Sequence, residues 1–407
     1  MEQLLTIETP ISKKAGSRIP AALWALTISA FAIGTTEFVA VGILPTIAES
    51  LRVSVSASGL LVSIYALGVA IGGPLLTALT TKIPRKPLLV SLMGLFILGH
   101  IASTFAPNFG LLLTARFISG FAHAVFFGVG ATIAATLVSP DKKATAIAIM
   151  FAGLTVAIIV GVPLGTYIGQ HLGWRATFGG VAVLGVIGLI ATALLLPSNL
   201  KQEAPLQLKD QLQVLRNKHI LLVLAITALG YGGTFVVFTY LATLLEKVTG
   251  FQANAVSILL LVYGVAIALG NVIGGKISNH HPAKVLIRLF LYQVIILLAF
   301  TFTAHYRIGA VVTLLLMGGM SFATVPGLQL YIVQLAGKYL PGTEDISSSL
   351  NISAFNLGVA IGSYVGGAVV AAPMLGLSAT PWIGAIMVLI GAGLTVISYK
   401  QQGTAVA

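Results

Sequence analysis

Three residues carry most of the chemistry this chain can do: Glu37, Arg116 and His123. Glu37 sits in GTTEFVAVGIL (Gly34–Leu44), inside an apolar run from Ala21 to Leu44 that has no other charge. A charge near the centre of a lipid bilayer costs on the order of 2.5–3.5 kcal/mol on insertion scales, so it is kept where something neutralises or uses it. Arg116 is a counter-charge at matching depth. Each stands seven residues from the outer end of its run, about 10 Å below the boundary at the helical rise. The two are the only deeply placed full charges, and we expect them to face one polar cavity, close enough for direct or water-mediated contact. Lost hydration disfavours an ionised carboxyl, and a nearby cation favours it. A carboxyl under both influences can take a proton in one conformation and release it in another. A structural ion pair, or a carboxylate reaching to the outer interface, are the other uses of Glu37. For Arg116, counter-charge and switch are not separable from sequence. His123 follows Arg116 by seven residues, on nearly the same helix face and about 10 Å deeper. Its side chain titrates near neutral pH, which suits a proton relay or a bond to substrate; a hydrogen-bonded packing histidine fits equally. His100, near the outer end of the third run, has no evident partner and reads as packing.

The elements that must hold these residues are transmembrane helices. The 407 residues are 57% hydrophobic and only 8% charged, against about 25% charged in soluble domains. Twelve apolar runs are long enough to cross a bilayer: 21–44, 56–79, 87–105, 109–137, 145–168, 178–196, 220–245, 254–277, 284–303, 308–334, 346–371 and 381–399. They are continuous rather than alternating, which argues against a β-barrel. The fold class expected is therefore an all-α membrane protein of twelve transmembrane helices in two six-helix bundles. The net charge of +12 forms no solvated basic domain, so nucleic acid is not an expected partner; lipid and a small molecule are. With the N-terminus inside, cytoplasmic segments hold 17 of the 22 basic residues and the outer loops hold Arg52, Arg175, Lys247 and Arg307. That bias places both termini in the cytoplasm. There is no cysteine, and thiolate metal sites are excluded. No Walker A loop or HExxH occurs, so neither an enzyme nor an ATP-driven pump is expected, and no cofactor.

The organisation expected is a tail (1–19), a first bundle (20–197), a linker (198–218), a second bundle (219–400) and a tail (401–407). In the linker, Leu208, Leu212 and Leu215 share a helical stripe that would lie on the inner membrane surface; an unstructured tether is the alternative. The bundles are a parallel duplication. Tyr65 and Gly72 recur as Tyr263 and Gly270, and Gly34 and Thr36 as Gly232 and Thr234, all at an offset of 198. Glu37 corresponds to Phe235, so only one copy is charged. Transporters often place a substrate site between such repeats. Tyr65, Tyr231, Phe235, Tyr263, Asn271, Gln329, Asn351 and Asn356 are candidate cavity residues, each amide serving equally as a helix–helix bond. Gly161, Pro163, Gly165 and Gly169, with Gly358, Gly362 and Gly366, allow close backbone contact, and the two helices that carry them are expected to form the sliding interface between the halves.

Several motifs carry a family resemblance over nearly the whole chain. GTTEF, RFISGFAHAVFFGVGA (Arg116–Ala131), GVPLG (Gly161–Gly165) and GWRATF (Gly173–Phe178) resemble signatures of the major facilitator superfamily. More narrowly they resemble bacterial drug–proton antiporters of the arabinose-efflux-permease and sugar-efflux type. The loop after the second helix departs from the family pattern. In TALTTKIPRK (Thr77–Lys86), Thr81 stands at the aspartate position and Pro84 at the second glycine; in the second copy Asn279 replaces the aspartate. Lys82, Arg85 and Lys86 then serve topology. The resemblance implies a monomer in the bacterial inner membrane. It would export amphipathic drugs or sugars by alternating access, with the proton gradient as its energy source. Proton-coupled uptake is a second reading, and a non-transporting sensor a third; the linker of about 23 residues leaves the sensor no sizeable signalling domain.

Overall fold

The computed structural model describes residues 20–80, 82–139, 143–198, 200, 208–278 and 281–404. Among them the fold is helical throughout, with no strand. Lipid offers no hydrogen bonds, so a spanning chain must satisfy its backbone internally, and continuous apolar runs do so as helices. The first bundle comprises α1 (Ala21–Leu51), α2 (Val55–Ser58), α3 (Leu60–Leu79), α4 (Arg85–Thr104), α5 (Phe109–Thr136), α6 (Lys143–Val156), α7 (Val162–Leu172) and α8 (Trp174–Leu195). A linker helix, α9 (Leu208–Leu215), follows. The second bundle comprises α10 (Lys218–Phe238), α11 (Leu241–Lys247), α12 (Ala253–Ser278), α13 (Pro282–Thr303), α14 (Arg307–Tyr339), α15 (Glu344–Ala371) and α16 (Thr380–Thr404). Together they make 12 spans by length and apolarity. An even number of crossings brings both ends of the chain to one face, here called the terminal face, with the far face opposite.

Local chemistry sets the breaks. Asn108 starts α5 by accepting the Leu111 amide at 2.9 Å, and Asn217 starts α10 by accepting the His219 amide at 3.0 Å, the usual N-cap role. Gly173, at φ 86°, turns the chain between α7 and α8 in a conformation that suits glycine. Pro163 has no N–H to give the helix. Just before it, Ala157–Gly161 forms a π turn between α6 and α7, in which the Val162 amide bonds to Ala157.

The duplication is visible in packing. Gly34 of α1 meets Leu154 and Ala157, as Gly232 of α10 meets Gly358 of α15. Gly72 of α3 meets Phe121 of α5, as Gly270 of α12 meets Gly319 of α14. The central helices α1 and α10 are mostly buried, whereas α8, α12 and α13 turn Ile190, Leu194, Leu269, Val272 and Ile295 outward.

The structure adds detail to two expectations. The glycines of the fifth and eleventh spans do not face the other half. Gly161 packs on Thr35 and Gly165 on Val39, both in α1; Gly358 and Gly362 pack on Ala228 and Gly232 of α10. The helices do border the other half, but through other faces: α12 brings Gly264 onto Ile158 and Ile159, and Gly73 of α3 meets Ser353 of α15. A missing Cβ serves best where two backbones cross closest, and here those crossings lie inside each half. The linker contains a helix, with Val214 buried and Leu212 52% exposed. α9 packs on α3, α10 and α15, so protein covers its inward face.

Candidate functional site

Thr36 and Glu37 are neighbours on α1, and helical geometry points them about 100° apart. Thr36 is fully buried; Glu37 is half-buried. From α5, the Arg116 guanidinium reaches Thr36, not Glu37. Its Nη1 donates to the Thr36 hydroxyl at 2.8 Å and to the Thr36 carbonyl at 3.1 Å. Its Nε donates to the Leu61 carbonyl at 3.5 Å. The guanidinium carbon lies 4.0 Å from the centroid of the Tyr65 ring, a cation–π contact. Among the described residues, no Asp or Glu oxygen lies within 4.0 Å of it. Of the direct or water-mediated contact expected with Glu37, the direct form is not made in this arrangement. Glu37 is nonetheless within electrostatic range of Arg116, Tyr65 and Tyr231. Arg116 has no exposed surface, and its Nη2 has no partner among the described residues. A buried cation with an unused donor is expensive to maintain.

Tyr65 joins the other predicted residue to this cluster. Its hydroxyl lies 2.9 Å from Nδ1 of His123, whose ring also packs on Phe127 at 4.9 Å. His123 thus stands one residue beyond Arg116, with Tyr65 between them. His100 belongs here too, which the sequence did not reveal. Its Nε2 is 2.5 Å from the Thr36 hydroxyl and its Nδ1 2.7 Å from the Phe96 carbonyl.

The second half joins the corresponding helices without charge, with only Thr234 at a matching position. Thr234 of α10 bonds Ser321 of α14 at 2.9 Å, and Nε2 of Gln293, on α13, donates to Ser321 at 2.7 Å and to Thr234 at 3.3 Å. These helices correspond to α1, α5 and α4. The match of Thr36 to Thr234 was the one sequence signal for both clusters.

Phe38, next to Glu37, crosses into an aromatic nest of the second half. Its ring lies 6.2 Å from Phe238 and 6.3 Å from Phe322. Tyr231 packs on Phe235, Phe322 and Phe355, and Phe238 stacks on Tyr263. Tyr231, Phe235 and Tyr263 thus pack in one aromatic group with Phe38, Phe238, Phe322 and Phe355. The Tyr263 hydroxyl is buried without a partner among the described residues.

The amides lie elsewhere. Asn351 donates to Gln329 at 2.9 Å and accepts from Thr227 at 2.7 Å, while Gln329 donates to Ser348. This chain ties α10, α14 and α15 together. Asn356 donates back to Ile352 of its own helix, leaving its Oδ1 unpartnered among the described residues. Asn271 is half-buried. In the loop motif, Lys86 donates to the Leu196 carbonyl at the end of α8 at 2.7 Å, Arg85 to Thr132 of α5, and Lys82 is exposed. Lys86 and Arg85 thus fasten α4 to its neighbours. Thr81 and Asn279 lie outside the described residues.

At the far face the halves are fastened to each other. Ser56 donates to the Gly367 carbonyl at 2.6 Å, and the Tyr240 hydroxyl donates to the Ser56 carbonyl at 3.1 Å. Ser257 of α12 donates to Gln170 of α7 at 3.0 Å.

Comparison with known proteins adds the wider setting. Residues 26–344 match the Major Facilitator Superfamily. The chain is 51% identical over 373 residues to YtbD, an MFS-type transporter of Bacillus subtilis, covering 92% of this chain and 93% of that one. It is 40% identical over 380 residues to the inner membrane transport protein YdhP of Escherichia coli, covering 93% and 96%. The crystal structure of the human organic anion transporter MFSD10 superposes with a TM-score of 0.67 at 17% identity, over 92% of this chain and 98% of that one. That last likeness concerns the fold alone.

Proposed function

The chain belongs to the Major Facilitator Superfamily and is a multi-pass membrane transporter, and we propose that it exports small molecules in exchange for protons, with Glu37 as the proton carrier. The observation that carries this reading is the separation of Glu37 from Arg116. The half-buried carboxyl is within electrostatic range of Arg116 in its own half and of Tyr231 in the second, with no ion partner within 4.0 Å among the described residues. An unpaired buried carboxylate is unfavourable, so a neutral carboxyl suits this arrangement. One residue away, Arg116 holds Thr36 with one arm and keeps a free donor on Nη2.

Proton loss would place an anion within electrostatic range of that free donor. The pair then gains by closing, and closing it moves α5 against α1. A proton entering from outside reverses the step. Substrate taken from the cytoplasm would use the aromatic nest around Tyr231, Phe235 and Tyr263, whose flat apolar faces suit amphipathic molecules. With charge bias placing the terminal face in the cytoplasm, the fastened far face is the outer one, and substrate enters from inside in this conformation. The location that follows is the bacterial inner membrane, with the protein acting as a monomer; amphipathic drugs and sugars are the substrates to screen.

The test is reconstitution in liposomes with an internal pH dye and an imposed proton gradient. Sugars and amphipathic drugs are added to the wild type and to Glu37→Gln. The wild type should dissipate the gradient with a substrate, and the variant should not. A variant that moves protons with substrate as fast as the wild type makes Glu37 structural and ends this reading.

A further inference from the structure

We propose that His100 is a positioning residue for proton coupling, acting on Arg116 through Thr36. The inference rests on the reading of Glu37 and Arg116 as the coupling pair.

The argument is the direction of three hydrogen bonds. The Phe96 carbonyl can only accept, so the proton between it and His100 belongs to Nδ1. A neutral imidazole then has Nε2 as an acceptor. Thr36 has one hydroxyl proton, and Nε2 at 2.5 Å takes it. The Thr36 oxygen is left with lone pairs only, and Arg116 Nη1 donates into one of them at 2.8 Å. A carbonyl on α4 therefore fixes the orientation of a hydroxyl on α1, which fixes a cation on α5. Were both His100 nitrogens protonated, a second cation would face Arg116 and the hydroxyl proton would lose its acceptor. A packing histidine needs no such order. This one shares its partner with the guanidinium and is walled by Phe96 at 4.1 Å and Phe178 at 6.2 Å, the latter also lying 5.8 Å from Arg116.

Thr36 and Glu37 thus offer two neighbouring holds for one guanidinium, and His100 sets the strength of the first. Without it, the Thr36 hydroxyl is free to turn its proton elsewhere, Arg116 is held less firmly, and Glu37 gains a cation. The ionisable groups within range of the pair are Tyr65 from α3, His100 from α4, His123 from α5 itself and Tyr231 from α10; the neighbour contributed by α8 is Phe178.

The experiment is infrared spectroscopy of the full chain in lipid, following the carbonyl stretch of protonated carboxyls through a pH titration. Glu37→Gln identifies the band. His100→Phe and Thr36→Val should each lower the pH at which the Glu37 band is half lost by about one unit, the size of one hydrogen bond to a charge. The double variant should go no further than either single, because both break the same link. His100→Gln and Thr36→Ser, which keep an acceptor and a hydroxyl, should restore the wild-type value. An unmoved midpoint in Thr36→Val or His100→Phe, or additive shifts in the double variant, overturns the role of His100 while leaving Glu37 as carrier. A titrating carboxyl band unaffected by Glu37→Gln removes the coupling reading itself.

Discussion

Tyr65 is used on two sides at once. Its ring face supports the Arg116 guanidinium, and its hydroxyl meets His123. Tyr65→Phe keeps the face and removes the hydroxyl, leaving a buried imidazole nitrogen unpartnered. A loss of about 1–3 kcal/mol is expected from such a group, seen as a lower thermal midpoint in detergent, with proton flux retained. Tyr65→Ala removes both contacts and should lose flux as well. Sequence identified Glu37, Arg116 and His123 because buried ionisable residues stand out in an apolar run. It could not identify their partners. Depth along a helix is legible, but rotation about its axis is not, so equal depth places Glu37 and Arg116 in reach of each other without showing that Thr36 takes the guanidinium's hydrogen bonds. A single histidine among apolar residues looks the same whether it packs or positions, so the sequence alone assigns His100 to packing.

At the scale of elements, the close crossings belong to backbone. A Cβ on Gly358 would lie 2.4 Å from the Ala228 carbonyl oxygen of α10, and one on Gly94 would meet nothing within 4 Å. Gly358→Val should therefore force α10 and α15 apart, at a cost of about 1–3 kcal/mol or more. Gly94→Ala should leave stability unchanged or raised, since alanine is the better helix former. Thermal unfolding of the two purified variants gives opposite signs if the crossing is the cause. The spans themselves were legible, because lipid demands long apolar helices and little else. Their ends were less so: α1 runs to Leu51 and α14 to Tyr339, past the apolar runs. α1 continues through Pro45 and stops only where Arg52 turns into the left-handed region, at φ 53°.

Across the whole molecule, the joint between the halves is polar at the far face. A Cβ on Gly367 would lie 3.5 Å from the Ser56 hydroxyl and 2.7 Å from the Tyr240 hydroxyl, which must turn aside to admit it. The chain has no cysteine, so a Ser56→Cys, Gly367→Cys double variant reports on this joint alone. Oxidation should cross-link it and stop transport, and reduction should restore transport. Full transport by the cross-linked protein would mean that the far face need not open. The duplication was legible from matched residues at one offset, yet which faces join the halves was not. Glycine patterns mark close approach without saying to which neighbour, and here they marked contacts within each half.

The uncharged cluster of Thr234, Ser321 and Gln293 has a meaning of its own. It shows that three helices in this architecture can be pinned together by a threonine, a serine and an amide. Holding the scaffold is therefore no reason to place a guanidinium in its interior. The chain carries its own control: one copy of the joint with the electrical component and one without. Exchanging the two sets of side chains between halves asks whether coupling travels with the residues or stays with the address.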